Sequence, residues 1–233
     1  MMYYFGLMIL LILIYQVMIN ITNEDNMDLM SRYDDNHFEL AIVDPPYGIG
    51  WDGDNLESYN STSCESWKGR KPKGYAKKNW DNEIPSKEYF IELKRVSKNQ
   101  IIWGGNYFNL KPTGGWIVWD KGVVMPTFSD GEMAWQSLTN SLKIIKLLWA
   151  GYRKCEETNR IHPTQKPIKL YEWLLMNYAK KGDKILDTHL GSGSIAIACH
   201  NLSFDLTACE LDKEYYESAM KRIKQHQAQL RII

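Results

Sequence analysis

The sequence has 233 residues, of which 44% are hydrophobic and 24% are charged, values typical of a globular protein with a full hydrophobic core. Its 28 basic side chains balance 28 acidic ones, so no net charge favours a polyanionic partner. The four cysteines form no Cys-x-x-Cys pair, which disfavours zinc and redox motifs and favours thiols in a reducing compartment. We therefore expect a cytoplasmic protein without a bound metal ion, in which any nucleic-acid binding comes from a local basic patch.

The first 17 residues form an apolar leader without a charged side chain. Its length is that of a marginal membrane span, but it has no basic flank and no signal cleavage site. We expect residues 1–17 to be translated upstream sequence that lies outside the fold, with the true start at Met18. A membrane anchor is the alternative.

From Met18 onward, apolar strands alternate with amphipathic helices. Strands are predicted at INIT, ELAIVD, NQIIWGG, GGWIVWD, DKILD and DLTACEL. Helices are predicted after INIT to Tyr33, in PSKEYFIELKRVSK, from Pro167 to a stop at Gly182, in GSGSIAIACH, and from Lys213 to Gln225. This alternation predicts a three-layer, Rossmann-like α/β domain over residues 18–226 with a mostly parallel sheet. The remaining segments are an inserted loop at 48–82, a small recognition region at 122–161 and a tail at 227–233.

A glycine-rich turn follows the predicted strand DKILD. Asp187 ends that strand, Gly191 and Gly193 lead into a helix, and Glu210 ends the next strand. Such a turn brings the backbone close to a ligand, and an acid at the position of Glu210 can accept both hydroxyls of an adenosine ribose. The pattern fits S-adenosylmethionine, a nicotinamide dinucleotide or a turn without a ligand, since Ala196 replaces the last glycine of the dinucleotide fingerprint.

The segment Asp44-Pro45-Pro46-Tyr47 follows another buried strand, ELAIV. An exocyclic base amine is a poor nucleophile because its lone pair is delocalised into the ring, and acceptors for both N–H groups favour the pyramidal transition state. The carboxylate of Asp44 and the carbonyl of Pro45, fixed by Pro46, provide two such acceptors. Tyr47 provides a ring for stacking, and the base has to be flipped out or single-stranded to reach it.

Three segments together resemble a known family. DPPYG, HPTQKP and LDTHLGSG, in this order, are similar to the DNA amino-methyltransferases of the circularly permuted beta group. The resemblance covers residues 18–225 and implies a methyltransferase domain that binds S-adenosylmethionine. The residues that it places at the cofactor are Asp187, Leu190, Gly191, Gly193, Glu210, Thr164 and Lys166 (the last two at its carboxylate), and Asp25 near its adenine. Thr188 and His189 depart from the family, which more often has a proline and an aromatic residue there.

A basic segment, SWKGRKPKGYAKKNW, lies between the catalytic motif and the next helix. Cations suit phosphates and aromatic rings suit unstacked bases, so we expect it to contact DNA rather than to be a solvated loop. The predicted DNA-binding residues are Lys68, Arg70, Lys71, Lys73, Lys77, Lys78 and Trp80. The region between the motifs is short, so recognition involves a short site or a second subunit, which leaves a homodimer open.

The sequence thus predicts a DNA methyltransferase that acts on adenine N6, as part of a restriction-modification system. Methylation of cytosine N4 is the runner-up, because enzymes with that specificity often have serine in place of Asp44. A catalytically inactive DNA-binding relative and a NAD-linked oxidoreductase are the alternatives from other classes. Intact Asp44 and Tyr47 argue against the first, and missing proton-transfer signatures argue against the second.

Overall fold

The computed structural model describes residues 17–51, 78–122, 129–150, 153–156 and 160–229 of the chain. In those ranges, no helix is long and apolar enough to cross a membrane. The expectations for the leader, for the basic residues 68–77 and for the end of the tail lie outside the described residues.

Eight strands form one sheet, in the order β1-β10-β9-β2-β3-β5-β4-β6. Their bounds are β1 Ile19–Thr22, β2 Phe38–Val43, β3 Ser97–Trp103, β4 Trp116–Asp120, β5 Gly131–Gln136, β6 Lys143–Lys146, β9 Lys184–Asp187 and β10 Asp205–Cys209. A separate pair contains β7 Trp149–Ala150 and β8 Arg153–Lys154. Only β5 runs antiparallel to its neighbours in the large sheet, so the predicted mostly parallel sheet is confirmed.

Five α-helices cover the sheet within the described residues. They are α1 Asn26–Ser31, α2 Lys87–Val96, α3 Ile168–Tyr178, α4 Ser194–Leu202 and α5 Lys213–Gln227, with a short 3-10 helix at Gly105–Tyr107. The predicted stop of α3 at Gly182 is wrong, because the helix ends at Tyr178 and Gly182 lies in the following turn with a φ of 91°.

Two hydrophobic clusters fill the space on either side of the sheet. Strand β2 divides between them, with Leu40 and Ile42 on the side of α3, α4 and α5, and Ala41 and Val43 on the side of α1 and α2. A strand that is buried on both faces needs a continuous apolar run, which explains the sequence FELAIV. The predicted three-layer α/β architecture is confirmed.

The strand order brings the DPPY motif and the glycine-rich turn together. Strand β2 pairs in parallel with β9, so the segment after Val43 and the segment after Asp187 leave the sheet side by side. Strand β1 pairs with β10 through Thr22 and Cys209, as predicted from the motif order. Three loops therefore meet at the carboxyl edge of the sheet, where ligands bind in open α/β folds.

Part of the segment 122–161, which the sequence predicts to be a recognition region, belongs to the central sheet. Strand β5 lies between β3 and β4 with Ala134, Trp135 and Gln136 buried, and β6 forms the sheet edge. These two strands are part of the central sheet, so only the segments around them are left for recognition.

Candidate active site

Asp44 leaves β2 at the carboxyl edge of the sheet and is held by two neighbours. The hydroxyl of Tyr47 donates to its Oδ1 at 2.7 Å, and the ammonium of Lys166 lies 2.5 Å from its Oδ2. Pro45 is buried beside it. The rigid turn therefore presents a carboxylate and an aromatic ring together, as the sequence predicted.

Lys166 contacts both the segment after β2 and the start of α4. Its ammonium, which is 3% exposed, bridges Asp44 and Glu132, with a distance of 3.0 Å to Glu132. Its backbone carbonyl accepts a hydrogen bond from the hydroxyl of Ser194, the first residue of α4, at 2.7 Å. The sequence predicted Lys166 at the carboxylate of the cofactor, whereas the structure places its ammonium on two carboxylates of the chain itself.

The charges in this cluster shift the pKa of each member. Burial disfavours ionisation of Glu132, but the charges of Lys166 and Lys121 outweigh burial and lower its pKa to about 2. Burial and the charge of Glu132 raise the pKa of Asp44, and Lys166 offsets only part of that effect. Burial alone would lower the pKa of Lys166, but Asp44 and Glu132 raise it. Glu132 is therefore the stronger acid, and Asp44 is the more basic carboxylate.

The ring of Tyr47 is fixed by close packing. It stacks on Tyr107, with ring centroids 5.0 Å apart and an interplanar angle of 15°. Gly104 has a φ of 67°, and a Cβ there would stand 2.2 Å from Cε1 of Tyr47. Glycine is thus required at position 104 both by the backbone conformation and by the approach of the ring.

Asp81 holds the turn that follows the catalytic motif. Its Oδ1 accepts hydrogen bonds from the backbone N–H groups of Tyr47 at 2.7 Å and Gly48 at 3.0 Å, and its Oδ2 accepts from Trp51 at 2.7 Å. The Asp81 side chain is buried, with the residue 2% exposed. This carboxylate replaces the ladder hydrogen bonds that the turn lacks, so it determines where Tyr47 stands.

The glycine turn after β9 has a left-handed backbone, with a φ of 51° at Gly191 and 73° at Gly193. A Cβ on Gly193 would stand 2.9 Å from Cδ1 of Ile223, so this glycine allows close packing of α4 on α5. A Cβ on Gly191 would point to the ring of His162, 3.9 Å away. Gly191 therefore borders the space between the turn and His162, and Gly193 lies on the other side of the turn, against α5.

Glu210 lies beside that turn, as predicted. Its two carboxylate oxygens accept the backbone N–H groups of Gly191 at 2.8 Å and Asp212 at 3.0 Å. Burial raises its pKa. A carboxylate has about four lone-pair positions, so Glu210 can hold the turn and still accept two hydroxyl groups.

The other predicted cofactor residues surround the same turn. Asp187 is buried with a pKa raised to about 8 by burial, and its Oδ1 accepts the N–H of His189 at 3.0 Å. Leu190 is buried in the core, and its N–H donates to Cys209. Asp25 caps α1 by accepting the N–H of Met27 at 2.7 Å. Asp25 thus has the structural role that such a position commonly has.

Thr188 and His189, where the sequence departs from the family, belong to a hydrogen-bonded chain. The hydroxyls of Tyr89 and Thr188 lie 2.7 Å apart, Nδ1 of His189 is 3.0 Å from Oγ1 of Thr188, and Nε2 of His189 is 3.2 Å from Nδ2 of Asn26. This chain connects α2, the glycine turn and α1. The departure therefore has a packing function on the α1 side of the sheet.

The HPTQKP segment lies over the glycine turn. Nδ1 of His162 is 3.1 Å from the hydroxyl of Thr164. The centroid of the His162 ring lies 4.2 Å from that of Tyr215 and 5.3 Å from that of Trp80. Burial lowers the pKa of His162 to about 3, so the ring is neutral. Thr164 is thus near the space in front of Gly191, but its hydroxyl is engaged with His162.

Two predicted DNA-binding residues fall inside the described part of the chain. The ammonium of Lys78 lies 2.5 Å from Asp212 and 2.9 Å from Glu214, and the ring of Trp80 packs on His162. Both side chains therefore attach the end of the basic loop to the cofactor side of the site. Their placement argues against Lys78 and Trp80 as DNA contacts, because intramolecular partners hold them.

Sequence reasoning missed Glu132, Asp81 and Tyr107. Glu132 precedes the apolar part of its strand, and because β5 is antiparallel, its first residues lie at the edge where parallel strands end. Asp81 is in a polar segment, NWDNE, whose pattern indicates only a loop. Tyr107 follows the glycines of NQIIWGGNYF, and those glycines were the signal for a tight approach at the end of β3.

Comparison with known proteins is consistent with this geometry. A family model described as DNA methylase, of the N6/N4 type, matches residues 130–221. The type II methyltransferase M2.MboI of Moraxella bovis is 27% identical over 244 residues, which cover 87% of this chain and 86% of that protein. The residues 130–221 that the family model matches contain Glu132, the HPTQKP segment, the glycine turn and Glu210.

Solved structures share the fold. The crystal structure of the M1.HpyAVI–SAM complex is 20% identical with a TM-score of 0.53, covering 88% of this chain and all of that one. The cytosine-N4-specific PvuII DNA methyltransferase is 13% identical with a TM-score of 0.56, covering 94% and 90% of the two chains. This chain is thus similar in sequence to the DNA methylase model and to a type II methyltransferase, and it shares the fold of these two solved structures.

Asp81 gives a test of how the catalytic turn is held. Asp81→Asn places an amide group where the carboxylate accepts three backbone N–H groups, so at least one of them loses its acceptor. We expect the free energy of unfolding to fall by about 1–3 kcal/mol. Urea denaturation measures this change.

The matched control is Asp34→Asn, which makes the same substitution at an exposed position before β2. We expect the control to change stability by less than about 0.5 kcal/mol. Equal stability of the two variants would show that Asp81 does not hold the turn.

Proposed function

We infer that this protein transfers a methyl group from S-adenosylmethionine to the exocyclic amine of a base in DNA, and that the base is adenine, methylated at N6. The observation that carries this proposal is the adjacency of two motifs at one sheet edge. Asp44 follows β2 and the glycine turn follows β9, and these strands are paired. A base amine at Asp44 and a methyl donor at the glycine turn would therefore face each other.

The turn after β2 suits an amine that has to become pyramidal. Asp44 accepts one N–H and the carbonyl of Pro45 accepts the other, which favours the geometry in which the nitrogen lone pair is available. The pKa of Asp44 is raised by burial, so it is a stronger acceptor than a solvated carboxylate. Tyr47 presents its ring beside this carboxylate for a base to stack on, and Tyr107 stacks against that ring and holds it in place.

The residues around the glycine turn fit S-adenosylmethionine. Gly191 would fill part of the space in front of the turn if it had a Cβ, and Glu210 has lone pairs left for two ribose hydroxyls. The family match to DNA methylases and the S-adenosylmethionine complex among the structures of the same fold support this cofactor. When bound, it would supply an electrophilic methyl group. As the amine nitrogen bonds to the methyl carbon, the carbon–sulfur bond would break and leave a neutral thioether, and the amine would lose one proton to solvent.

Binding of DNA is proposed for the basic loop before Lys78. Its five remaining predicted contacts are Lys68, Arg70, Lys71, Lys73 and Lys77. The loop leaves the catalytic turn at Trp51 and rejoins the described chain at Lys78, which is fixed to Asp212. Both ends of the loop are therefore at the active site, where a flipped or single-stranded target base has to enter.

The choice of adenine is supported by the acid at position 44, because cytosine N4 enzymes of the family often have serine there. Methylation of cytosine N4 is the second candidate, since the family model is of the N6/N4 type and a cytosine-N4-specific enzyme shares the fold. Membership in a restriction-modification system is supported by the type II relative.

Substitutions of Asp44 and Tyr47 test the chemistry directly. Asp44→Asn keeps the shape but removes the charge, and we expect the single-turnover rate constant for methyl transfer to fall about 100-fold or more. Tyr47→Phe keeps the ring and loses the hydrogen bond to Asp44, so we expect a loss of about tenfold or less. Tyr47→Ala should fail to hold the base. Rapid-quench assays with radiolabelled cofactor and unmodified DNA measure these rates.

The control for these variants is Asp183→Asn, which changes an acid before β9 at the opposite edge of the sheet. It should leave the rate constant unchanged. Wild-type turnover in Asp44→Asn would contradict the proposed role of the carboxylate.

Glu210 tests the cofactor site independently of DNA. Glu210→Ala removes the acceptor for the ribose hydroxyls, and we expect affinity for S-adenosylmethionine to fall about tenfold or more, since such hydrogen bonds contribute about 1.5–3 kcal/mol. Affinity for DNA should not change. Titration calorimetry measures both, with Glu217→Ala, on the exposed side of α5, as the control. Unchanged affinity for S-adenosylmethionine would show that Glu210 does not bind the cofactor.

A further inference from the structure

A second carboxylate, Glu132, lies within the catalytic cluster but has no part in the chemistry described so far. It comes from β5, and it contacts Lys166 at 3.0 Å and Lys121 at 2.8 Å. Two acids and two ammonium groups therefore form one charge-balanced cluster, in which Lys166 is buried and the other three side chains are partly exposed. Acids seldom leave the solvent even in part without such partners, so the position of Glu132 next to Asp44 requires an explanation.

In the structure as it stands, each oxygen of Asp44 already has one partner within the protein. Oδ1 accepts from Tyr47 and Oδ2 from Lys166, and the ammonium of Lys166 also lies 5.6 Å from the centroid of the Tyr47 ring. A base that stacks on Tyr47 and donates its amine N–H to Asp44 thus competes with Lys166 for the same region. A weaker contact between Lys166 and Asp44 would leave this oxygen to the amine N–H.

Glu132 gives Lys166 a second partner that is already in contact. A buried ammonium that lost its only partner would leave an uncompensated charge, which is strongly unfavourable. Because Lys166 already touches Glu132, a small shift of its ammonium would keep the charge paired while one oxygen of Asp44 becomes available.

We propose that Glu132 is a positioning residue for methyl transfer: it takes over Lys166 when the target amine enters, and so frees Asp44 to accept the amine N–H. This inference rests on the proposed function. Lys121 neutralises Glu132 in part, which keeps Glu132 ionised before the base arrives.

The groups that face Asp44 determine how a substitution at Glu132 would change its titration. They come from five parts of the chain, namely Tyr47 in the same turn, Lys166 before α3, Tyr171 in α3, Glu132 in β5 and Asp187 at the end of β9. Of the acids among them, Glu132 has the largest effect on Asp44 and raises its pKa. Removing that negative charge makes Asp44 easier to ionise, so Asp44 would stay charged to lower pH.

The experiment uses the full chain and the variants Glu132→Gln and Glu132→Gln/Lys121→Gln, the second of which restores charge balance. Glu39→Gln, at the start of β2 and paired with Lys98, is the matched control. Single-turnover rate constants are measured from pH 5 to 9 at saturating DNA and cofactor. Affinities for DNA and for S-adenosylmethionine are measured separately by anisotropy and calorimetry.

We expect the rate constant of Glu132→Gln and of the double variant to fall at least tenfold at neutral pH. The acid limb of the pH–rate profile, where the rate falls as pH decreases, should move to lower pH. The affinities for DNA and for S-adenosylmethionine should not change. A residue with only a structural role would not move that limb. Recovery of the wild-type rate in the double variant would overturn the inference, because only charge balance would then matter.

Two further outcomes would also contradict it. Weaker cofactor binding in Glu132→Gln would place Lys166 at the cofactor rather than at Asp44, and an unchanged rate and pH profile would leave Glu132 without a role in the reaction. Failure of the wild-type protein to methylate DNA would instead refute the proposed function, and it is seen before any variant is measured.

Discussion

The buried ammonium of Lys166 is the interaction on which the arrangement of this site depends. It joins a carboxylate after β2 to a carboxylate on β5, while the carbonyl of the same residue binds the first residue of α4. The loss of a partner from such a buried pair typically costs about 3–5 kcal/mol, so the pairing holds three elements of the sheet edge in one position. The catalytic turn and the glycine turn are adjacent because of strand pairing, and Lys166 sets their relative orientation.

The catalytic turn itself has few internal constraints, since its prolines donate no backbone hydrogen bond. Its position comes from outside the motif, from the carboxylate of Asp81 and from the packing of Tyr47 between Gly104 and Tyr107. Asp81 lies where the basic loop rejoins the chain. If that loop contacts DNA as proposed, Asp81 couples it to the position of Tyr47.

The sequence was sufficient to predict those features that depend on local patterns. Apolar runs located the strands, and the motif order placed β1 beside β10. Glu210 was predicted from its distance to the glycine turn, and the structure places it there. Glu132, Asp81 and the partners of Lys166 were not predictable, because their roles arise from contacts between residues far apart in the chain. In a parallel strand, the residues that reach the site follow the strand. In the antiparallel strand β5 they are its first residues, and no local sequence pattern indicates which way a strand runs.

The proposed methylation of an exocyclic base amine at this sheet edge is tested most directly by identifying the methylated nucleoside. The purified protein is incubated with S-adenosylmethionine carrying a labelled methyl group and with unmodified DNA, and the DNA is digested to nucleosides and analysed by mass spectrometry. We expect the label in N6-methyladenine. Label in N4-methylcytosine would contradict the choice of base, and label in 5-methylcytosine or in no nucleoside would contradict the mechanism.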